Sequence, residues 1–428
     1  RAAAILAAAI LSLGMLPSRA VALADDGVIN YDEAKVPPYE LPDPLVMQSG
    51  KRVVTAKAWQ NARRPELLNL FETQVYGRPL PVPRKVRFNV REEQGVLGGR
   101  AIRKRVKVEI WSGGQFVPAF AFVLYQPRSQ GRRAPAFVGM HLFDKEADEP
   151  QPGKPLEQDV GRELPGKNLM RTILARGYAV ASLDAKDFCP DDKANFCDGV
   201  LTALFPDRSG DPAAEEAGAI GTWAWGLSRA LDYFECDPTI DARRVAVIGH
   251  SRMGKTALWA GAQDQRFAIV ISNNSGCGGA ALSRRIFGET VARINRVFPH
   301  WFCGNFKKYN DREAELPVDQ HELIALVAPR PVYVASALED RWADPRGELL
   351  AAQGAQGVYR LFGLRGLELT GDPPLNQPLG ANIGYHLRVG KHALTDYDWL
   401  AYLDFADRHF HRGSRPLPAS DVARSRAR

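Results

Sequence analysis

Residues 244–260 read RVAVIGHSRMGKTALWA, and this stretch decides the fold. After Arg244 the first residues are continuously apolar, which is typical of a strand buried on both faces of a parallel sheet. Small residues then surround Ser251, and residues 256–260 continue in a helix-forming pattern. The order strand, sharp turn, helix predicts that Ser251 is held in a strained turn at a helix N-terminus, with its hydroxyl exposed.

Around this stretch, short β-rich runs alternate with helical ones, which predicts a mostly parallel sheet with helices on both faces. The expected fold class is therefore α/β, a three-layer α/β/α sandwich. We expect helices at 59–76, 217–235 and 396–411, and a loop near the site at 357–380. The expected strands are 105–111, 117–125, 134–140, 178–183, 244–248, 267–272 and 331–337.

The two ends differ from the middle of the chain. Residues 2–20 are mostly apolar, and Ala22-Leu23-Ala24 before two aspartates is typical of a signal-peptidase site. We predict a signal peptide at 1–24, a single catalytic domain with an N-terminal extension at 25–411, and a disordered Arg-rich tail at 412–428. A membrane anchor is the alternative for the first segment. The expected location is the periplasm or the medium, with no membrane contact after cleavage.

Composition excludes several function classes. The net charge of +7 includes Arg1 and Arg19, and such a mild excess gives no case for nucleic acid, at most favouring a polyanionic polysaccharide. Five cysteines in 428 residues do not make a disulfide scaffold, although Cys189 and Cys197 are close enough to pair or to remain two free thiols. Neither has a histidine at metal-ligand spacing, and no phosphate-binding loop occurs, so we expect neither metal nor cofactor. We also expect a monomer.

Ser251 is the candidate nucleophile. The backbone N–H of Arg252 would point at the developing oxyanion. The motif departs from G-x-S-x-G because Met253 takes the second glycine position and Gly254 follows, so a helix-capping serine is the alternative. In the α/β-hydrolase fold, which this motif indicates, the partners follow in the order serine, acid, histidine.

The acid is expected after the strand at 331–337. Asp340 is the candidate, because Asp344 is better placed to cap the helix that Pro345 begins and Glu339 is expected to be solvated. Both remain alternatives.

The histidine must follow the acid on a loop before the last helix. His392 lies in the expected loop, with His386 as a structural alternative, whereas His409 and His411 fall at the end of the helix. His392 would take the proton from Ser251 and return it to the leaving alcohol, while Asp340 orients the imidazole.

Together these residues resemble the glucuronoyl esterases, carbohydrate esterase family 15, over most of the chain. The combination of Ser251-Arg252-x-Gly254-Lys255 with Trp342-Ala343-Asp344-Pro345 is specific. The resemblance implies an α/β-hydrolase that cleaves the ester between (4-O-methyl-)glucuronic acid on xylan and alcohol groups of lignin. Further matching segments are 41–45, 63–66, 75–78, 275–279 and 390–392.

The resemblance also implies roles for further residues. Arg252 would stabilise the oxyanion through side chain and backbone, and Lys255 would donate to the sugar hydroxyls. Glu289 would accept hydrogen bonds from the sugar, and Trp342 would line the pocket wall. The alternatives are a solvated Lys255 and a surface charge at Glu289.

Two positions depart from the family pattern. Many members carry their acid as a glutamate immediately before Ser-Gly, where this chain has Asn274, so the acid must come from the later position, which favours Asp340. His250 replaces a cysteine that forms a disulfide in other members, and we expect its side chain to point into the core. Two other functions stay open: another carbohydrate esterase, such as an acetyl xylan esterase, and a non-catalytic carbohydrate-binding protein on the same fold.

Overall fold

The computed structural model describes residues 29–128, 131–143 and 167–410. The predicted signal peptide, the predicted tail and His411 lie outside these described residues. Within them, none of the helices combines the length and apolarity that crossing a bilayer requires.

The described residues form one nine-stranded sheet. Its strands are β1 Val86–Gly95, β2 Ala101–Ser112, β3 Gln115–Pro127, β4 Ala134–Met140, β5 Ala179–Leu183, β6 Ile240–His250, β7 Ile269–Asn273, β8 Val332–Ala337 and β9 Ile383–Arg388. They run in the order β1-β2-β3-β5-β4-β6-β7-β8-β9. Strands β1 to β3 are antiparallel, β3 pairs antiparallel with β5, and the pairs from β5 to β9 are parallel.

Helices flank this sheet and connect its strands. They are α1 Ala56–Ala58, α2 Arg64–Gln74, α3 Val96–Gly99, α4 Lys167–Ala175, α5 Val200–Leu204, α6 Ala219–Cys236, α7 Arg252–Gln263, α8 Val291–Val297, α9 Gln320–Ala325, α10 Pro345–Gly354, α11 Gln356–Leu361 and α12 Asp396–Phe410. A π-helical turn, Trp59–Arg63, joins α1 to α2.

All seven predicted strands are present, and the predicted α/β sandwich is confirmed. The predicted helices at 59–76, 217–235 and 396–411 correspond to the segment from α1 to α2, to α6 and to α12. The sequence did not predict β1 or β9. The loop expected at 357–380 is wrong at its start, because α11 occupies those residues and packs Val358 and Tyr359 into the core.

Apolar clusters cover both faces of the sheet. On one face, α2, α6 and α7 bury Phe71, Trp223 and Trp259 against the strands. On the other face, α4 and α12 bury Ile173 and Trp399. Three layers result, and the carboxyl ends of β6, β7, β8 and β9 meet at one edge of the sheet, which is where ligands bind in open α/β sheets.

All five cysteines lie in the described residues, and none of them is in a disulfide. Of the two open alternatives for Cys189 and Cys197, the structure shows two free thiols, with Cys189 fully buried.

Candidate active site

Ser251 lies in the turn between β6 and α7, as the sequence predicts. Its backbone has φ 57° and ψ −128°, a conformation that L residues rarely adopt. The turn closes tightly, because a Cβ on Gly249 would lie 1.8 Å from the Met253 carbonyl oxygen and one on Gly254 would lie 2.9 Å from Ser275 Cβ. Two glycines therefore permit the strained conformation that exposes a nucleophile.

Asp340 and His392 are brought together at the ends of β8 and β9. His392 Nδ1 lies 2.6 Å from Asp340 Oδ2. The carboxylate is buried, with 4% of its side chain exposed, whereas 36% of the His392 side chain is accessible. Burial disfavours the charged carboxylate, but the hydrogen bonds from His392 and Asn274 outweigh it and lower the pKa of Asp340. Asp340 therefore stays ionised beside the imidazole at neutral pH.

Asn274 occupies the position where many family members have a glutamate, and it forms a hydrogen bond with Asp340. Its Nδ2 donates to Asp340 Oδ2 at 2.8 Å. The residue is buried and has φ 46°. The amide thus orients the neighbouring acid and stabilises its charge.

The alternative acids and base have other positions. Glu339 is exposed, and Asp344 accepts from Gly347 N at 2.9 Å as the N-cap of α10 while it binds Arg285. His386 is fully buried in β9, where it bonds to Asp398 at 2.9 Å. Asp340 and His392, which contact each other, remain the candidate acid and base.

His250, whose side chain the sequence analysis expects to point into the core, packs between Asn273 and His392. Its Nδ1 bonds to Asn273 Oδ1 at 2.6 Å, but its ring faces His392, with 4.4 Å between ring centroids. Burial of the ring, with the neighbouring His392, lowers the pKa of His250 to about 3. It is therefore a neutral packing surface for His392, in the place of the cysteine seen in other members.

The Arg252 guanidinium is held by Asp191, a residue that the sequence analysis missed. Asp191 also accepts from Trp301 Nε1 at 2.6 Å and lies 3.1 Å from His300 Nε2. Burial opposes its charge, but these partners outweigh burial and lower the pKa of Asp191 to about 2. The Arg252 side chain is therefore fixed beside Ser251, and among the described residues its buried Nε has no hydrogen-bond partner.

Lys255 lies one turn along α7 from Ser251 and forms a buried pair with Glu289. Their charged atoms lie 3.7 Å apart, and the two side chains are 5% and 6% exposed. Lys255 Nζ also donates to the Ser275 carbonyl at 2.5 Å. Burial raises the pKa of Glu289, an effect that Lys255, Trp342 and His392 oppose. Neither residue is the solvated charge of the alternative interpretation.

Trp342 lies in a short 3₁₀ turn, Arg341–Ala343, that follows Asp340. Its carbonyl accepts from Glu289 N at 3.0 Å. A Cβ on Gly288 would lie 2.5 Å from the same carbonyl oxygen, so the loop segment that carries Glu289 packs directly against the backbone of Trp342. The three residues that the resemblance assigns to the sugar therefore lie together.

A second acid missed in the sequence, Glu348, supports the loop after β7. It is fully buried and accepts from Ser275 N at 2.7 Å and Gly276 N at 3.0 Å, with Ser336 Oγ at 2.6 Å. Burial raises the pKa of Glu348 to about 8. No local sequence signal marks it, because its partners lie up to 73 residues away.

Comparisons with known proteins support the family resemblance and the fold. The sequence model of a family described as "Glucuronyl esterase, fungi" matches residues 167–363. Carbohydrate esterase MZ0003, from an unknown prokaryotic organism, is 46% identical over 404 residues, which cover 90% of this chain and 93% of that protein.

Two solved structures are similar over almost the whole described chain. A promiscuous CE15 esterase from the marine bacterial metagenome has a TM-score of 0.79 and 44% identity, covering 89% of this chain and all of that one. A glucuronoyl esterase from Solibacter usitatus has a TM-score of 0.79 and 42% identity, covering 88% and 100%.

Proposed function

The chain belongs to the glucuronoyl esterase family, carbohydrate esterase family 15, and on this premise we propose that it hydrolyses esters of (4-O-methyl-)glucuronic acid on glucuronoxylan with lignin alcohols. One observation carries the choice of substrate. The buried Lys255–Glu289 pair lies one helical turn from Ser251, and a hydrolase for simple acetyl groups has no use for it. No cofactor takes part in the proposed reaction.

Ser251 and His392 carry the proposed chemistry. Ser251 Oγ attacks the ester carbonyl as its proton passes to His392, and the alcohol leaves with that proton when the tetrahedral intermediate collapses. Water then attacks the acyl-enzyme on Ser251, His392 again takes and returns a proton, and the free uronate leaves. Asp340, 2.6 Å from Nδ1, holds the imidazole in the correct tautomer and stabilises its charged form.

Arg252 stabilises the oxyanion in two ways. Its backbone N–H is at the first position of α7, where no intrahelical acceptor exists. Its guanidinium, held by Asp191 beside Ser251, adds a fixed positive charge. Pre-organised donors of this kind act where negative charge develops in the transition state.

Lys255, Glu289 and Trp342 recognise the sugar in this proposal. The ammonium and the carboxylate supply a donor and an acceptor to adjacent hydroxyls, and the indole supplies an apolar wall. Both charged groups are already desolvated and paired, so little reorganisation is needed when the sugar binds.

We also propose that the protein is exported to the periplasm or the medium after removal of residues 1–24, and that it acts there as a monomer in lignocellulose degradation. The Ala22-Leu23-Ala24 pattern supports export.

The experiment that tests the function compares hydrolysis of benzyl and methyl glucuronate esters with deacetylation of acetylated xylan and of an aryl acetate. We expect cleavage of the uronate esters with little deacetylation, and loss of both activities in Ser251→Ala. A preference for acetyl groups would identify another carbohydrate esterase. Inactivity on every ester, with retained xylan binding, would identify a carbohydrate-binding protein.

A further inference from the structure

We propose that Arg388 is a positioning residue for His392, because its guanidinium holds the loop that presents the imidazole to Ser251. This inference rests on the proposed role of His392 as the base. It concerns residues 389–395, which connect β9 to α12.

The loop is wrapped around the guanidinium. Arg388 Nη1 donates to the Val389 carbonyl at 3.0 Å, and Nη2 donates to the carbonyls of Lys391 at 3.0 Å and Ala393 at 2.7 Å. The last two residues stand on either side of His392. Gly390, with φ 100°, lets the chain turn so closely that a Cβ there would lie 3.1 Å from Nη1.

A buried carboxylate fixes the guanidinium from the other side. Asp398, in the first turn of α12, accepts from Arg388 Nε at 3.1 and 3.0 Å. It also accepts from Thr395 N at 2.7 Å, which ties the end of the loop to the helix, and it lies 2.9 Å from His386 Nε2. Asp398 is fully buried and Arg388 is 4% exposed, so these charge-assisted hydrogen bonds are protected from water.

The His392 ring has few supports of its own. Asp340 holds Nδ1 and the His250 ring packs on one side, but 36% of the side chain is accessible. The position of the ring relative to Ser251 therefore depends on the backbone at 391–393, whose carbonyls the Arg388 guanidinium fixes. A displacement of about 1 Å at a reacting group is enough to cost on the order of 100-fold in rate.

The test compares Arg388→Lys with Arg330→Lys. Arg330 is a matched control, because its guanidinium also donates to three backbone carbonyls, those of Gly261, Asp264 and Phe267, away from the site. We expect both variants to lower the melting temperature. Arg388→Lys should lower kcat by about 10- to 100-fold with KM within about twofold, whereas Arg330→Lys should leave kcat and KM unchanged.

A double variant separates positioning from general structural damage. On an activated aryl ester, adding Arg388→Lys to His392→Ala should cause no further loss, because the residue acts through the imidazole. The inference is overturned if Arg388→Lys costs no more kcat than Arg330→Lys, or if its full loss persists without His392.

The kinetics are measured on a uronate ester and on an aryl acetate. Equal losses on both support positioning of the base, which both reactions use, whatever the preferred substrate. A wild type that cleaves only the aryl acetate would contradict the proposed substrate. The comparison of Arg388→Lys with Arg330→Lys on the aryl acetate would then still support or overturn the inference. If Arg388→Lys does not fold, Asp398→Asn is the second variant and should show the same split between kcat and KM, and an unchanged kcat would overturn the inference.

Discussion

Asp340 is the carboxylate that contacts the His392 imidazole. The first prediction therefore concerns a variant that removes its negative charge. We expect Asp340→Asn to lower kcat by about 10³- to 10⁴-fold, because an amide at this position neither stabilises the imidazolium nor selects its tautomer. KM should change little, since Asp340 does not contact the sugar in the proposed reaction. Steady-state kinetics on a benzyl glucuronate ester measures both constants.

Glu339→Gln is the matched control for this change. It removes a negative charge from the adjacent residue, but Glu339 is exposed. Its rate should equal that of the wild type. A nearly unchanged rate in Asp340→Asn would mean that another group supplies the charge, and Asp344 would then be examined.

Lys255 is the residue whose removal should separate sugar recognition from chemistry. We expect Lys255→Met to raise KM for the uronate ester by about 10- to 100-fold, the range for losing a hydrogen bond to a charged group. Hydrolysis of an aryl acetate, which carries no uronate, should change by less than about threefold. Kinetics on the two substrates measures the contrast.

Lys104→Met provides the control for losing a buried lysine. Lys104, in β2, pairs with Asp237, the residue directly after α6, at 2.8 Å, and its side chain is 6% exposed. The control should lower the melting temperature without changing KM. If Lys255→Met impairs both substrates equally, Lys255 has a structural role and not a binding role.

At the residue level, chain order allowed Ser251, Asp340 and His392 to be predicted, because the fold class fixes their sequence of appearance. Asp191 and Arg388 could not be predicted in the same way. Asp191 contacts Arg252 across 61 positions, and an isolated aspartate has no local pattern that distinguishes a buried partner from a solvated charge. The position where many family members carry a glutamate was also informative, because Asn274 at that position directed the prediction of the acid to Asp340.

At the scale of elements, the turn between β6 and α7 depends on Gly249. We expect Gly249→Ala to destabilise the fold by about 3 kcal/mol or more, because its Cβ would lie 1.8 Å from a backbone oxygen that cannot move without breaking the first turn of α7. Thermal or urea unfolding measures the loss.

Gly357→Ala is the control, because a Cβ there meets nothing closer than 3.6 Å, at Leu45 Cδ1. Gly357 lies within α11, so alanine should stabilise the protein by about 0.5–1 kcal/mol. Equal destabilisation by both changes would contradict the steric explanation.

The predicted strands are the ones whose burial shows in their composition. Strand β4 is buried at all seven positions, and its predicted bounds match the structure. Strand β1 is an edge strand that is exposed at eight of its ten positions, and the alternation of Val86, Phe88 and Val90 with polar residues is a short strand pattern that the sequence analysis missed. Strand β9 is fully buried, but it contains His386 and Arg388, and these polar residues interrupt the apolar run that marks the other buried strands. Their side chains bond to Asp398 in α12, the helix that follows β9.

At the scale of the whole molecule, buried ionisable groups set how stability depends on pH. Burial lowers the pKa of His250 from 6.5 to about 3 and lowers that of His321 as well. Burial raises the pKa of Glu322 and Glu348 from 4.5 to about 8. The histidines bind protons more strongly in the unfolded chain, so they make stability rise with pH up to about 6.5. The glutamates bind protons more strongly in the folded chain, so they make stability fall from about pH 4.5 to about 8.

Between about pH 4.5 and 6.5 the two pairs of groups oppose each other, and above 6.5 only the two glutamates among these four groups still titrate. We therefore predict that the free energy of unfolding falls as pH rises from 6.5 to 8, by about 1.4 kcal/mol per pH unit at most for each glutamate. Glu348→Gln should remove about half of this fall. Glutamine keeps an acceptor for the N–H groups of Ser275 and Gly276 but binds no proton. Melting temperatures measured across this range, with Glu339→Gln as the exposed control, test the prediction. If the dependence of stability on pH between 6.5 and 8 is unchanged in Glu348→Gln, Glu348 is ionised in the folded protein at neutral pH. The loop after β7 would then be stabilised by a buried carboxylate rather than by a neutral acid.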